Sequence, residues 1–469
     1  MNQLNLLRPE QNTAQYFAQA KNFTEAKDNA LEVLRRYCST HSRIKIGFSG
    51  GKDSTALLYF VYEMVSSGAL KLLDEAIIEV VCVDTLQEYP GISSNVYAAK
   101  KLIDSHPKFS FVLLTPSVDH QFLPTILGRG VPPTKPSMGG GRWCTRSMKR
   151  DPQKRHISSQ GDPTRVLVLT GVRFGESISR DDRIKSSCSS PGGECGSSWY
   201  QDERNSFESV LAPIASWRYC HVIDWLVECS TKDYPVWDVL DTYGIRDDTP
   251  PGELRTGCIG CPVVNKDKTL EYLIESGHKH LEPLEGLHDL YWELLEWRHR
   301  YRFWGKRNAD KSIPLRGMTV VGPLTLKSRC WAFGKIMQMQ RESHIISDAI
   351  GRDRFYLLRE DQISFIKRCW SEGVFPSGWD KRKIIKDERA FREIVTKCAG
   401  EIPLDFEGVI IPALWDAPPI KVLGKYKAVF DKNWFSRERQ TQQVIDLSGA
   451  MPKPLESPEQ PEGCHQPQN

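Results

Sequence analysis

An apolar run, Ile44-Lys45-Ile46-Gly47-Phe48, leads directly into Ser49-Gly50-Gly51-Lys52-Asp53-Ser54-Thr55 and then into the helix-forming Ala56-Leu57-Leu58-Tyr59-Phe60-Val61-Tyr62. A strand, a glycine-rich turn and a helix in that order build an anion cradle. Glycine lets the backbone approach closely, the first amides of the helix point at the anion, and the helix dipole favours negative charge there. Lys52 adds a cation. A Walker A loop needs two glycines separated by four residues before its Lys-Ser/Thr, whereas the glycines here are adjacent and an acid, Asp53, follows the lysine. The segment is therefore a different nucleotide loop, with an unliganded strand-to-helix turn as the plainer alternative.

Around the loop, hydrophobic periodicity predicts alternating helices and strands. A helical preface over residues 22–37 is followed by strand 44–48, helix 55–65, strand 77–83, helix 93–105 and strand 109–114, and another strand over 166–169 ends in Thr170-Gly171-Val172-Arg173. Such alternation implies an α/β fold with a parallel sheet. Residues 184–199, rich in Ser, Gly and Cys, read as an irregular loop, and 213–245 read as helical. Beyond Cys261 the pattern becomes helical and dense in charge and tryptophan, over 284–305, 324–344 and an amphipathic stretch between Ile363 and Cys398. The Pro-, Glu- and Gln-rich residues 449–469 read as a disordered tail. The expected organisation is a helical extension (1–40), a nucleotide-binding domain carrying a cysteine site (41–275), a mainly helical C-terminal region (276–448) and the tail.

At 469 residues with 40% hydrophobic content the chain can bury more than one core. No basic leader followed by an apolar stretch opens it and no window approaches a membrane span, so a soluble cytoplasmic protein is expected, without a membrane partner. The thirteen cysteines, an odd number, point to reduced thiols with some serving as ligands. A formal charge of +4 does not announce nucleic-acid binding. Trp297 to Arg307 interleaves rings with cations, which suits base stacking and phosphate contact, or else a helix with aromatics inward and arginines solvated.

Candidate nucleotide contacts are Ser49, Gly50, Gly51, Lys52, Asp53, Ser54 and Thr55 in the loop, together with Asp84 at the carboxyl end of the second strand. Asp84 suits a ribose hydroxyl or magnesium (Mg2+), and equally a capped turn. Gly171, Arg173 and Arg180 follow a further strand, and both arginines are forks suited to phosphate or sulfate oxygens. Lys52, Asp53 and Arg173 are the candidate catalytic groups. Cys258-Ile259-Gly260-Cys261 is a chelating knuckle, with Cys144, Cys188 and Cys195 as candidate partners. Four thiolates fit zinc or a 4Fe–4S cluster, and a redox or purely structural pair is the other reading.

Taken together, Ser49 to Thr55, Asp84-Thr85, Arg142-Trp143-Cys144-Thr145, Gly171-Val172-Arg173 with Glu176-Ser177 and Arg180, and Pro213-Ile214 before Trp217 resemble the PP-loop ATP pyrophosphatases of the PAPS reductase family over roughly residues 40–270. Cys258 and Cys261, Glu293 to Arg298, and Gly322 to Lys327 with Arg329 are similar to the DndC family, the sulfurtransferases of bacterial DNA phosphorothioation, which extends the likeness to about residue 345. That resemblance implies an adenine nucleotide α-hydrolase-like core and an enzyme using ATP, magnesium and a 4Fe–4S cluster. It also implies DNA as acceptor, a cysteine desulfurase or other sulfur donor, and other DNA-modification subunits as partners. It places cluster ligands at Cys144, Cys258 and Cys261, with Cys195 preferred to Cys188 as the fourth because Gly192, Gly193 and Gly196 free its backbone to turn. Two related readings compete. An assimilatory PAPS or adenylyl-sulfate reductase would carry its cysteine in a C-terminal tail, faintly matched by Glu462-Gly463-Cys464-His465 in a different order. A PP-loop tRNA-thiolating enzyme would act on RNA.

Overall fold

The computed structural model describes residues 22–134, 142–159, 166–176, 181–182, 184, 193–195, 198–202, 208–245, 254, 256–296, 299–303, 320–374 and 376. The chain divides into two compact units, one of Met1–Ser117 with Gly139–Glu282, the other of Val118–Met138 with Pro283–Asn469.

The first unit is an α/β structure around a seven-stranded sheet. Its strands are β1 (Arg43–Phe48), β2 (Ile77–Val83), β3 (Phe109–Leu114), β4 (Val166–Thr170), β5 (Gly193–Cys195), β6 (Trp199–Asp202) and β7 (Glu208–Ala212), in the spatial order β3-β2-β1-β4-β7-β6-β5. The run from β3 to β7 is parallel, and β6 and β5 extend it antiparallel. Ile44, Ile46, Ile78, Val80, Leu167 and Leu169 are buried, as expected of parallel strands covered on both faces.

Helices α1 (Phe23–Cys38), α2 (Lys52–Ser66), α3 (Pro90–Ile103), α4 (Asp151–Ser159), α5 (Tyr219–Ser230), α6 (Trp237–Thr242) and α7 (Lys268–Glu275) complete this unit. In α1, Ala26, Ala30, Leu34 and Cys38 recur every four residues and are buried, while Asn22 caps its start by accepting from the Glu25 amide at 2.9 Å. Helix α2 is buried without a break from Ser54 to Val61, which places its amino end in the interior. Two tryptophans lock the layers, each with a satisfied indole: Trp217 donates to the Ala26 carbonyl and Trp225 to the Ala56 carbonyl, both at 3.0 Å.

The second unit holds α8 (Gly286–Glu293), the antiparallel pair β8 (Arg300–Phe303) and β9 (Val320–Leu324), α9 (Leu326–Ile350) and α10 (Glu360–Glu372). Thr325 caps α9, and Gly351 and Gly373, both left-handed, end α9 and α10. Segment 118–138, expected in the nucleotide domain, joins this unit because its polar groups are satisfied here. The Leu127 carbonyl accepts from Trp370 at 2.7 Å, the Gly128 carbonyl accepts from Arg329 at 2.6 Å, and the buried Gln121 accepts from Gln362 at 2.7 Å.

Several elements differ from expectation. Residues 193–195 and Trp199, read as irregular loop, lie in strands β5 and β6, because β7 offers β6 an edge and β6 in turn offers one to β5. The span 213–245 yields only α5 and α6, separated by a turn in which Asp233 is left-handed. Residues 300–303, read as helical, are a strand whose partner lies some twenty residues on. Helix α10 ends at Glu372; the rest of the stretch to Cys398, apart from 373, 374 and 376, and the tail 449–469 lie outside the described residues. Among the described residues no helix is long and apolar enough to cross a membrane.

Candidate nucleotide and thiol site

Strand β1 lies between β2 and β4, so the chain leaves it toward one side of the sheet and later returns to the other. That reversal opens a crevice at the carboxyl ends of β1 and β4, where ligands of open α/β sheets bind. Both glycine-bearing turns meet there. Gly47 is in register with Thr170, and a Cβ on Gly171 would stand 2.8 Å from the Asp53 carbonyl oxygen and 3.0 Å from the Ser54 nitrogen.

The β1–α2 loop is held from inside. Gly50 is left-handed at φ +75°, a conformation natural to glycine, and a Cβ there would lie 2.7 Å from Val96 Cγ2. Ser49 and Ser54 share a hydrogen bond at 3.0 Å, and Ser54 also donates to the Gly51 carbonyl at 3.0 Å. Asn95, fully buried on α3, donates to the Gly50 carbonyl at 2.9 Å and to Thr55 Oγ1 at 3.0 Å, fixing both ends of the turn at once.

Lys52, Asp53 and Arg173 form one buried group. Lys52 Nζ lies 3.2 Å from Asp53 Oδ2, Arg173 donates through Nε to Asp53 Oδ1, and both cations are 3% exposed. Two cations around one carboxylate give this group a net positive charge, in surroundings where charge is weakly screened. The Lys52 ammonium also sits 4.9 Å from the Tyr243 ring centre and 5.7 Å from that of Tyr219. Tyr243 hydrogen-bonds Thr256 and the Lys52 backbone, and burial pushes its phenol well above the ordinary range.

Asp84 is placed at the end of β2 and is engaged locally. Its Oδ1 accepts from the Leu86 amide at 2.8 Å, stabilising the left-handed Leu86, and Tyr97 lies 3.5 Å from its Oδ2. The turn-forming alternative thus describes its contacts. The residues after Asp84 carry the thiol knuckle: the Gln87 carbonyl accepts from the Ile259 amide at 2.8 Å. Asp267 holds the other side, accepting from Gly260 N at 2.9 Å and from the Tyr89 hydroxyl while it caps α7.

Cys144, Cys258 and Cys261 come together electrostatically. Burial pushes the Cys258 thiol far up, Glu88 and the two other cysteines push the same way, and Lys149 opposes them. Burial also raises Cys261, with Cys144 adding to it and Arg142 opposing. Lys149 is 3.6 Å from Glu88, which accepts from Thr85 at 2.8 Å. Among the described residues no three His, Cys, Asp or Glu stand in a metal-holding arrangement. Cys195 is on β5; Cys188 and Arg180 lie outside the described residues.

Sequence reasoning missed Asn95, Tyr219, Tyr243 and Asp267. Asn95 left a signal, a lone amide on the apolar face made by Ile92, Val96, Ala99 and Ile103; the tyrosines reach Lys52 only through the tertiary fold.

No protein-family model matches this chain, and no curated protein does. Among solved structures it is similar to the FMN adenylyltransferase of Candida glabrata in complex with FAD and inorganic pyrophosphate, at 10% identity and a TM-score of 0.31, over 50% of this chain and 66% of that one. It is also similar to the U34-tRNA thiolase NcsA of Methanococcus maripaludis with its 4Fe–4S cluster, at 13% identity and a TM-score of 0.31, over 58% of this chain and 79% of that one. Both likenesses are remote, and the α/β assignment rests on the sheet itself.

Proposed function

We propose that this chain is a PP-loop ATP pyrophosphatase that activates an oxygen acceptor for sulfur transfer, with the DNA backbone as acceptor, in the manner of the DndC family. The single observation that carries the reading is the loop of Ser49–Thr55 at the switch point between β1 and β4, with the Lys52–Asp53–Arg173 group buried beneath it. ATP enters as its magnesium complex. An acceptor oxygen attacks the α-phosphorus, the bond to the β-phosphate oxygen breaks, and pyrophosphate leaves. Sulfide (HS−) then attacks the acceptor's own phosphorus, the bond from that phosphorus to the adenylylated oxygen breaks, AMP departs with that oxygen, and the thiol proton is released, with no change of oxidation state. The added charge on the phosphoryl oxygens is met by Lys52, Arg173 and the amides at the start of α2, groups already fixed before reaction.

The donor set of Cys144, Cys258 and Cys261 suits a thiophilic centre. Cys258 and Cys261 share one knuckle and Cys144 acts on both electrostatically, so these are the residues that would hold such a centre, although the three do not stand in a metal-holding arrangement in this structure. Such a centre, when bound, supplies a site for an inorganic sulfur atom. Gln87, Asp267 and Tyr89 fix the knuckle, while Lys149 and Arg142 supply positive charge beside it.

Mass spectrometry of nuclease-digested DNA and of tRNA, from cells with and without this gene, tests the assignment. Sulfur lost from DNA linkages, and lost again in a Cys258→Ala strain, is the expected result. Loss of thionucleosides from tRNA instead replaces DNA with RNA as acceptor. Loss of growth on sulfate with both polymers unchanged replaces the reading with a sulfonucleotide reductase.

A further inference from the structure

The helix that carries Cys144 has a sharply divided surface. Trp143 to Ser159 is continuous, π-helical over Thr145–Arg150 and α-helical as α4 thereafter. Its exposed residues, with Arg142 just before it, are Arg142, Thr145, Arg146, Arg150, Lys154, Arg155 and Ser158. Every one is a cation or a small hydroxyl. The one acid in 142–159 is Asp151, which lies 3.9 Å from Arg146. Lys149, the remaining lysine of the π-helical turn, belongs instead to Glu88 and the thiols.

Four of these cations, Arg142, Arg146, Arg150 and Lys154, recur every fourth residue. A step of four overshoots the α-helical turn of about 3.6 residues and undershoots the wider π turn. The two drifts oppose each other, so the cations stay on one line across the junction. A solvated helix face ordinarily mixes signs and gains from pairs four apart, whereas the four-apart pairs along this row are like-charged and cost a few tenths of a kcal/mol each. A row kept straight at that cost suits a linear polyanion. From Arg142 to Lys154 it spans at most about 18 Å, the figure at the α-helical rise, which the wider π turn shortens, and over that length duplex DNA presents up to roughly ten phosphate charges.

We infer that this face docks the sugar–phosphate backbone of double-stranded DNA and leads it to Cys144. Two features select a duplex. The row follows one continuous helix, and no ring is interleaved at its exposed positions, whereas single strands are held by rings on which bases stack. Trp143 is half-buried, and His156 contacts Glu79 at 3.1 Å. The row begins beside the thiols, since Arg142 stands two residues before Cys144 and its carbonyl accepts from the Arg146 amide at 3.1 Å. The inference deepens the proposed DNA-directed function and rests on it for the acceptor's identity.

Its test is separate from that of the chemistry, because binding is read without ATP. The full-length chain and its Arg150→Ala/Lys154→Ala variant are titrated with a 30-base-pair duplex by fluorescence anisotropy between 50 and 200 mM salt, with circular dichroism confirming that both are folded. Each phosphate contact contributes about 0.9 to the slope of log affinity against log salt. The variant is therefore expected to lose about 1.8 of slope, so that its affinity changes about twelve-fold less across that range. The charge-conserving Arg150→Lys/Lys154→Arg variant keeps the slope. A slope shared by wild type and the alanine variant, absence of duplex binding by wild type, or tighter binding of tRNA than of duplex through the same residues overturns the inference. Loss of ATP cleavage with the slope effect intact would overturn the proposed chemistry alone.

Discussion

Gly50→Ala should damage the loop by a mechanism that a second glycine isolates. Gly50 and Gly68 are both left-handed, at φ +75° and +72°, so alanine at either pays the same backbone cost of about 1–2 kcal/mol. A Cβ at Gly68 meets nothing within 4 Å, whereas at Gly50 it lies 2.7 Å from Val96 Cγ2 and 3.0 Å from both Ile92 Cγ2 and the Ile92 carbonyl oxygen. The side-chain contacts can yield by rotation, but the carbonyl moves only if α3 moves, adding about 2 kcal/mol in the range usual for overpacking. At roughly 2–4 °C per kcal/mol for a domain of this size, Gly50→Ala should melt about 4–8 °C below Gly68→Ala by near-ultraviolet circular dichroism. It should also weaken ATP binding, because displacing α3 carries Asn95 away from the Gly50 carbonyl and Thr55. Equal melting of the two variants would refute the claim that α3 clamps the loop.

Asp267→Ala removes acceptors for the Tyr89 hydroxyl and the Gly260 amide together with a helix cap, so a loss of about 2–4 kcal/mol in chemical denaturation is expected. Burial alone would raise the Glu79 pKa, but the hydrogen bond from His156 and the nearby Lys45 charge outweigh it and hold the carboxyl below its ordinary value. The stability this confers is fully present above about pH 4.3, the unfolded value, and is lost as pH falls through the lower folded value. Glu79→Gln should therefore be less stable than wild type at pH 7, and the difference should shrink in melts taken below pH 4. In anaerobic reconstitution, Cys144→Ser, Cys258→Ser and Cys261→Ser should each lower the iron bound per chain, while Cys220→Ser, at an exposed thiol, should not.

The strands and helices of the nucleotide half were legible because each carries its own local signal. Ile44 to Phe48 and Ile77 to Val83 are apolar runs of strand length, and the glycines between β1 and α2 mark the turn. The order of strands was not legible, because the pairing of Gly47 with Thr170 joins positions more than a hundred residues apart. Nor were β5 and β6, whose three and four residues are too short to show a period. Arg300-Tyr301-Arg302-Phe303 does alternate cation and ring as a strand does, but it follows a helical pattern from Gly286 that masks it. Of the site, Lys52, Asp53 and Arg173 were readable as residue types, yet the single carboxylate that joins two cations is a product of the β1–β4 neighbourhood. The same holds for the thiols, where Cys144 comes within electrostatic reach of the knuckle only after the chain has folded.

The central claim, that the loop after β1 cleaves ATP between its α- and β-phosphates, is tested most directly by separating the nucleotide products formed by the reconstituted chain with duplex DNA and a sulfur donor. The account predicts AMP and pyrophosphate in equal amounts, with formation reduced at least about a hundredfold in Lys52→Ala, the scale expected when one fixed charge is withdrawn from a phosphoryl-transfer site. ADP and phosphate as products, or AMP formation that survives Lys52→Ala unchanged, would contradict it.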